Sequence, residues 1–443
     1  MARVRMFSFS RLTLSCTIST GRDEWYNVQI TLIGIGQAGG RLADTFLDVD
    51  DWLVRDPVAG ACAIDTSRAY LENLSAVPGA QRHLMGADRA KGHGVGSDNE
   101  LAATIAAEER SRIADIIDGL PITESDAVLT LAGLGGGTGS GMTPVIAETV
   151  HDEYDIPVYG LGILPHSRTS PIQTLNAARS LRSLRQQTSH VFLFDNDAWA
   201  DADPDEELYR ELNERVVTAI GTLFGVVDQA DSEHTEGTET TPGRSENALS
   251  TNALSAVGFA TESAAHISPT GQNQGLFSRL WPSSTGEAEE NSVETDESAS
   301  SRRREQIETV LREAASPPYT LPVDPDKDRK VELFVIAPGS YLSEADLSAQ
   351  ELTTAGQLDP THLHACQPSP TGSSDRVSAV CILTDDCFDR VAELIEEAIA
   401  LQNDPSWVEE LEVSDQFPDI LEDRSTDDEA TSADGDEDLE PLF

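Results

Sequence analysis

Lysine is almost missing from this chain of 443 residues: Lys91, Lys327 and Lys330 are the only ones, and the remaining bases are arginine. With 78 acids against 30 bases, the formal net charge is −48. An excess of that size repels nucleic acid and anionic lipid in dilute buffer, and it pushes a compact state apart. At molar salt the Debye length shrinks to about 3 Å and the repulsion is screened. The composition therefore predicts a protein adapted to a very saline cytosol, with no nucleic-acid partner. Long apolar runs are also missing. Nothing approaches the roughly 18 residues needed to span a bilayer, so no transmembrane segment is expected. Cysteine is sparse: Cys16, Cys62, Cys366, Cys381 and Cys387 form no metal-ligand spacing and are odd in number. That usage fits a reducing compartment, here the cytoplasm. In residues 1–27, Arg11 interrupts the apolar centre that a secretory signal requires. The stretch is expected to be a disordered arm.

Glycine, by contrast, is concentrated. Gly135-Gly136-Gly137-Thr138-Gly139-Ser140-Gly141 directly follows the apolar run Ala127–Ala132. A glycine-rich turn leaving a buried strand lets backbone N–H groups converge on an anion, because no Cβ blocks the approach. The spacing predicts a phosphate cradle, with a helix from Met142 adding its positive end. The lysine of GxxxxGK[ST] is absent. Charge neutralisation then falls to backbone dipoles and a metal ion. An earlier apolar run, Val28–Ile33, leads into Gly34-Ile35-Gly36-Gln37-Ala38-Gly39-Gly40-Arg41. Alone, this segment also reads as a dinucleotide fingerprint with Asp65 as the ribose-holding acid. A nicotinamide-dependent oxidoreductase is open on that stretch alone, but it leaves the second glycine cluster unexplained.

GGGTGSG resembles the signature of the tubulin/FtsZ superfamily of filament-forming GTPases. Lys91-Gly92-His93-Gly94-Val95-Gly96-Ser97-Asp98-Asn99-Glu100 resembles its terminal-phosphate loop, and its wording is especially similar to the archaeal CetZ branch. The resemblance runs in order from Val28 to Gly225 and resumes at Asn252–Ala260, Ile307–Pro338 and Val377–Ala400. It implies an α/β, tubulin/FtsZ-like fold: a Rossmann-like GTP-binding domain over 28–208, a central helix over 209–225, and a catalytic-loop region over 226–306 whose acidic insertions, 228–244 and 283–302, are expected not to order. A smaller α+β C-terminal domain over 307–402 and an acidic disordered tail over 403–443 would follow. Residues 307–315 and 388–401 show helical apolar spacing, and 331–338 and 377–383 read as strands.

What the resemblance implies for the site is specific. Gly36, Gln37, Ala38, Gly39, Gly40 and Arg41, with Gly135, Gly136, Gly137, Thr138, Gly139 and Ser140, would hold the phosphates of GTP or GDP. Val95 and Gly96 would meet the terminal phosphate. His93 is a solvated loop imidazole on the simplest reading. Thr169 and Asn176 are implied at the nucleotide, and Asn196, Tyr209 and Asn213 at the base. An amide suits guanine because it both donates and accepts, and Tyr209 and Asn213 lie one turn apart on one helix face. Mg²⁺ is implied with the nucleotide. Glu246, in the stretch 243–249, would reach the next subunit and align or deprotonate the attacking water.

Two positions depart from the pattern: Gly243 stands where an Asp is usual, and Thr169 where a ribose-contacting Glu is usual. The implied function is a GTP-binding, GTP-hydrolysing cytoskeletal protein that polymerises head to tail and controls cell shape or division. The alternative is a nucleotide-binding regulatory filament partner with lost or weak GTPase activity. The C-terminal tail could fold onto a partner protein.

Overall fold

The computed structural model describes residues 17–18, 28–49, 52, 56–198, 206–231, 253–263, 296–324, 327, 329–338, 362–366 and 376–404. Glu246 and the rest of residues 232–252, residues 264–295 and the tail from 405 lie outside the described residues. In chain order the strands are β1 (Thr17–Ile18), β2 (Ile30–Ile35), β3 (Val58–Asp65), β4 (Arg82–Leu84), β5 (Ala127–Gly133), β6 (Val158–Leu164), β7 (His190–Asp195), β8 (Ala253–Ser263), β9 (Lys330–Ile336), β10 (His362–Cys366) and β11 (Arg376–Asp385). The helices are α1 (Gly36–Leu47), α2 (Arg68–Glu72), α3 (Asn99–Glu108), α4 (Arg110–Asp118), α5 (Gly137–Glu153), α6 (Pro171–Gln187), α7 (Glu206–Asp231), α8 (Asp296–Ala314) and α9 (Asp389–Asn403).

The strands form one sheet in the order β1-β10-β9-β11-β8-β7-β6-β5-β2-β3-β4. β11 runs antiparallel to both β8 and β9, and the other neighbours are parallel. A parallel sheet must be covered on both faces, and the side chains divide accordingly. Ile33 and Ile35 of β2, with Ala379, Cys381 and Leu383 of β11, belong to the core shared with α3, α4, α5, α6 and α8. Ile30 and Leu32, with Val380 and Ile382, belong to the opposite core, shared with α1 and α7. The two-residue period of a strand sends alternate apolar side chains to each layer. The result is a three-layer α/β architecture running through both halves of the chain.

The strand order reverses between β2 and β5. From β2 the chain passes through α1 to β3 on one side, whereas from β5 it passes through α5 to β6 on the other. A crevice at the carboxyl ends of the strands forms at such a switch point, and both glycine segments lie there.

The structure corrects three expectations. The helix after β5 begins at Gly137, not at Met142. Thr17 and Ile18, placed in the disordered arm, pair in parallel with His364 and Ala365, because an open sheet edge offers unpaired backbone groups to any extended segment. α8 begins at Asp296, inside the acidic stretch expected not to order. Once the apolar turn holding Ile307 and Val310 is docked, each further upstream residue adds a hydrogen bond without a new nucleation step.

Candidate functional site

Two helix N-termini meet at the crevice. Gly36 opens α1 with φ +70°, and a Cβ there would fall 2.9 Å from the Gly139 backbone nitrogen. Only glycine tolerates both that dihedral and that contact. The packing around this point is equally close. A Cβ on Gly39 would come 1.9 Å from the Leu131 carbonyl oxygen, and one on Gly139 would stand 2.6 Å from the Gly133 oxygen. The glycines in α5 are thus required by backbone neighbours, and they draw α1 and α5 together over the ends of β2 and β5. Gln37 is exposed, while Ala38 and Arg41 are half-buried; Gly40 is buried.

Neither helix satisfies its own first turn. The N-cap positions, Ile35 for α1 and Gly136 for α5, make no side-chain cap, and no acid lies in either first turn. The orphan N–H groups of a helix start need acceptors, and its partial positive charge favours an anion by about 0.3–1 kcal/mol or more. α3 shows the contrast: Asp98 caps it by accepting from Leu101 N at 2.8 Å, and Glu100 sits in its first turn.

The 91–98 loop closes one side. Lys91, Gly92, Gly94 and Gly96 all have positive φ, and the loop is pinned to the segment after β3 by Arg68 N donating to Gly92 O (2.9 Å) and Gly94 N donating to Thr66 O (3.1 Å). A Cβ on Gly137 would come 2.5 Å from the Gly96 oxygen and 2.8 Å from the Val95 side chain. Gly96 and Gly136 themselves are exposed, and a Cβ on Gly96 would meet nothing within 4 Å. Asn176 is 1 % exposed, and its Nδ2 donates to Ser97 O (2.7 Å) and Gly135 O (3.2 Å). It ties the loop to the glycine turn. His93 is exposed on this loop.

Thr138 is buried, and its hydroxyl pairs with that of Thr66 at 2.7 Å. Beneath this pair lies Asp65, 3 % exposed, which accepts Ser67 N at 2.9 Å through Oδ1. Burial pushes its carboxyl up to about 6, against the pull of the Ser67 and Thr66 backbone and the Thr138 hydroxyl. Asp65 therefore belongs to the glycine crevice, where its neighbours are Ser67, Thr66 and Thr138. Ser140 turns its hydroxyl back onto its own helix, donating to the Gly136 and Gly137 oxygens.

The remaining predicted residues come from other elements. Thr169 follows β6; its N donates to His166 O at 3.0 Å, and its Oγ1 is buried without a partner. Asn196, half-buried, opens the short 3-10 turn Asn196–Ala198 after β7. Tyr209 and Asn213 lie one turn apart near the start of α7, both half-buried. Among the described residues no group of three His, Cys, Asp or Glu side chains could hold a metal, and no helix is long and apolar enough to cross a membrane. Sequence reasoning named Asp65 and Asn176 but not the contact of the first with Thr138 or the tie made by the second; the pairing of Thr66 with Thr138 has no local signal at all.

The chain matches two known families. Residues 29–203 match the Tubulin/FtsZ family, GTPase domain, and residues 204–400 match the tubulin-like CetZ C-terminal domain. The tubulin-like protein CetZ1 of Haloferax volcanii is 34% identical over 379 residues, which is 85% of this chain and 93% of that protein. CetZ3 of the same organism is 33% identical over 419 residues, 94% of this chain and 100% of its own length. Among solved structures, the GDP-bound monomer of Haloferax volcanii CetZ1 has a TM-score of 0.66 at 31% identity, covering 85% of this chain and 100% of that one. The GTPγS-bound protofilament of CetZ2 has a TM-score of 0.62 at 25% identity, covering 87% and 100%.

Proposed function

Since this chain belongs to the tubulin/FtsZ family and, within it, to the tubulin-like CetZ group, we propose that it binds guanosine triphosphate in the crevice, polymerises head to tail and hydrolyses the nucleotide between subunits. The observation that carries this reading is the contact of Gly36 with Gly139. It brings two uncapped helix starts to one point at the switch of the sheet, a setting suited to a polyphosphate. CetZ1 with GDP and CetZ2 as a GTPγS-bound protofilament supply the ligand class and the mode of assembly by kinship. A heterologous contact that does not close on itself yields a linear polymer.

In this reading Gly36–Arg41 and Gly135–Ser140 bind and orient the phosphates through main-chain amides, and Val95–Gly96 border the terminal phosphate. Thr169 offers its unpartnered hydroxyl, and Asn176 holds the terminal-phosphate loop against the glycine turn. Asn196, Tyr209 and Asn213 receive the base. Mg²⁺ bound with the nucleotide would offset phosphate charge; among the described residues no group of three His, Cys, Asp or Glu side chains could hold it without the nucleotide. Glu246 of the neighbouring subunit aligns the attacking water. The biological role is the control of cell shape or division in a saline cytosol, with the acidic tail available to a partner protein.

The test is electron microscopy and phosphate release in molar KCl. Filaments that need GTP, with release rising above a threshold protein concentration, support the reading; absence of GTP binding ends it. Glu246→Ala should keep binding and slow release, and unchanged turnover removes Glu246 from the mechanism. One observation favours the second reading, a regulatory filament partner with weak turnover: Thr169 presents a buried hydroxyl where the resemblance implies a ribose-contacting Glu. Saturable GTP binding without phosphate release is its signature.

A further inference from the structure

The two loops that carry Thr169 and Asn196 are organised by one guanidinium from far along the chain. Arg390, the second residue of α9, is buried, and its Nε donates to Asp195 Oδ2 at 2.8 Å. One terminal nitrogen, Nη2, donates to Pro165 O at 3.4 Å and stands 3.6 Å from Asp197 Oδ2. The constraint passes onward from there. Asp197 Oδ2 accepts Ser167 N at 2.7 Å, and its Oδ1 lies 2.9 Å from His166 Nε2. Asp195 Oδ1 accepts Asp197 N at 3.0 Å, an Asx turn that fixes the backbone of Asn196 between two anchored neighbours.

Chemistry explains why arginine stands at this position. Two carboxylates removed from water need a counter-charge and hydrogen bonds, and a guanidinium serves several acceptors at once from one rigid fork. α9 reaches the site because Ala398 packs against Leu175 and Ala178 of α6. The junctions of Gly36 with Gly139 and of Gly137 with Gly96, in contrast, are set by backbone contacts that do not involve Arg390, although Gly135 abuts the Pro165 side chain. One end of the crevice thus depends on α9 and the other does not.

We propose that Arg390 is a positioning residue for the base and sugar end of the nucleotide, so that the carboxy-terminal half of the chain sets how selectively the amino-terminal half takes guanosine. This inference rests on the guanosine-nucleotide reading above.

The test measures affinities of the full chain in molar KCl for GTP, for inosine triphosphate, which lacks guanine's exocyclic amine, and for inorganic tripolyphosphate. Arg390→Gln should weaken GTP by about tenfold or more, the value of one lost charge-assisted hydrogen bond. Tripolyphosphate, bound at the Gly36–Gly139 and Gly137–Gly96 junctions, should stay within about twofold, and the preference for GTP over the inosine nucleotide should narrow. Arg390→Lys should fall between wild type and Arg390→Gln. Equal losses for GTP and tripolyphosphate, or an unchanged GTP-to-inosine ratio, overturn the proposal. If Arg390→Gln does not fold, Asp197→Asn, at the half-buried end of the same chain of contacts, carries the same expectation and the same refutation. A wild-type protein that binds tripolyphosphate without preferring guanosine refutes the nucleotide reading itself, and that result is visible before any variant is compared.

Discussion

Gly137 passes so close beneath Gly96 that a Cβ on it would stand 2.5 Å from the Gly96 carbonyl oxygen. The helix start and the loop it touches are therefore one packing unit, and neighbouring glycines should respond differently to substitution. Gly137→Ala pushes backbone against backbone and should destabilise by about 1–3 kcal/mol, as overpacking does. At Gly136 the nearest atom to an added Cβ is the Gly133 oxygen at 4.0 Å, and the residue has φ −75°. Gly136→Val should keep the melting temperature and lower nucleotide affinity by crowding the crevice. Retained affinity would mean that the phosphates lie elsewhere.

Asn176→Ala removes a buried donor from the Ser97 and Gly135 carbonyls, a change worth about 1–3 kcal/mol. Asn176→Asp should be worse, since it sets an acceptor against two acceptors. Thermal melts of the three proteins check the order, and an aspartate variant as stable as wild type contradicts it.

Asp65 makes stability depend on pH in a definite direction. Its carboxyl in the folded chain titrates near 6, above the ordinary 3.8, because burial disfavours the charge. The folded form holds the proton more tightly, so this contribution to stability is complete below the ordinary value and is lost as pH rises through about 6. Nucleotide-free Asp65→Asn should flatten the stability curve between those values. At neutral pH it should be more stable than wild type by about 2–3 kcal/mol, at 1.36 kcal/mol per pH unit. Denaturant melts across the range measure the difference, and parallel curves would exclude Asp65 as its source.

Salt should stabilise the whole chain. At −48, self-repulsion acts over a Debye length of about 10 Å in 0.1 M salt and about 3 Å in 1 M. The melting temperature should climb steadily in graded KCl. A flat response would refute adaptation to salinity.

The site was legible in the sequence where glycine is forced. Gly36, Gly137 and Gly139 are dictated by backbone atoms a few ångströms away, so residue type alone exposes the contact. The strands β2, β5, β6 and β7 announce themselves as short apolar runs. The start of α5 was misplaced because glycine lowers helix propensity, and tertiary contact overrides it: a Cβ on Gly141 would come 2.2 Å from the Asn99 oxygen. β1 and β10 are too short to carry a period. The Arg390–Asp195 pair joins residues 195 positions apart, and nothing local to either one foretells the other.

The sheet does not stop between the two halves of the molecule. β7 and β8 pair in parallel from His190 with Ala253 to Phe192 with Ser255, and the His190 ring nitrogen and the Thr384 hydroxyl both meet the Ser255 hydroxyl, at 2.8 and 2.9 Å. Tension arriving at one half would load these main-chain ladder bonds in shear. In a fibre of the kind proposed, that ladder would carry load from one half of each unit to the other.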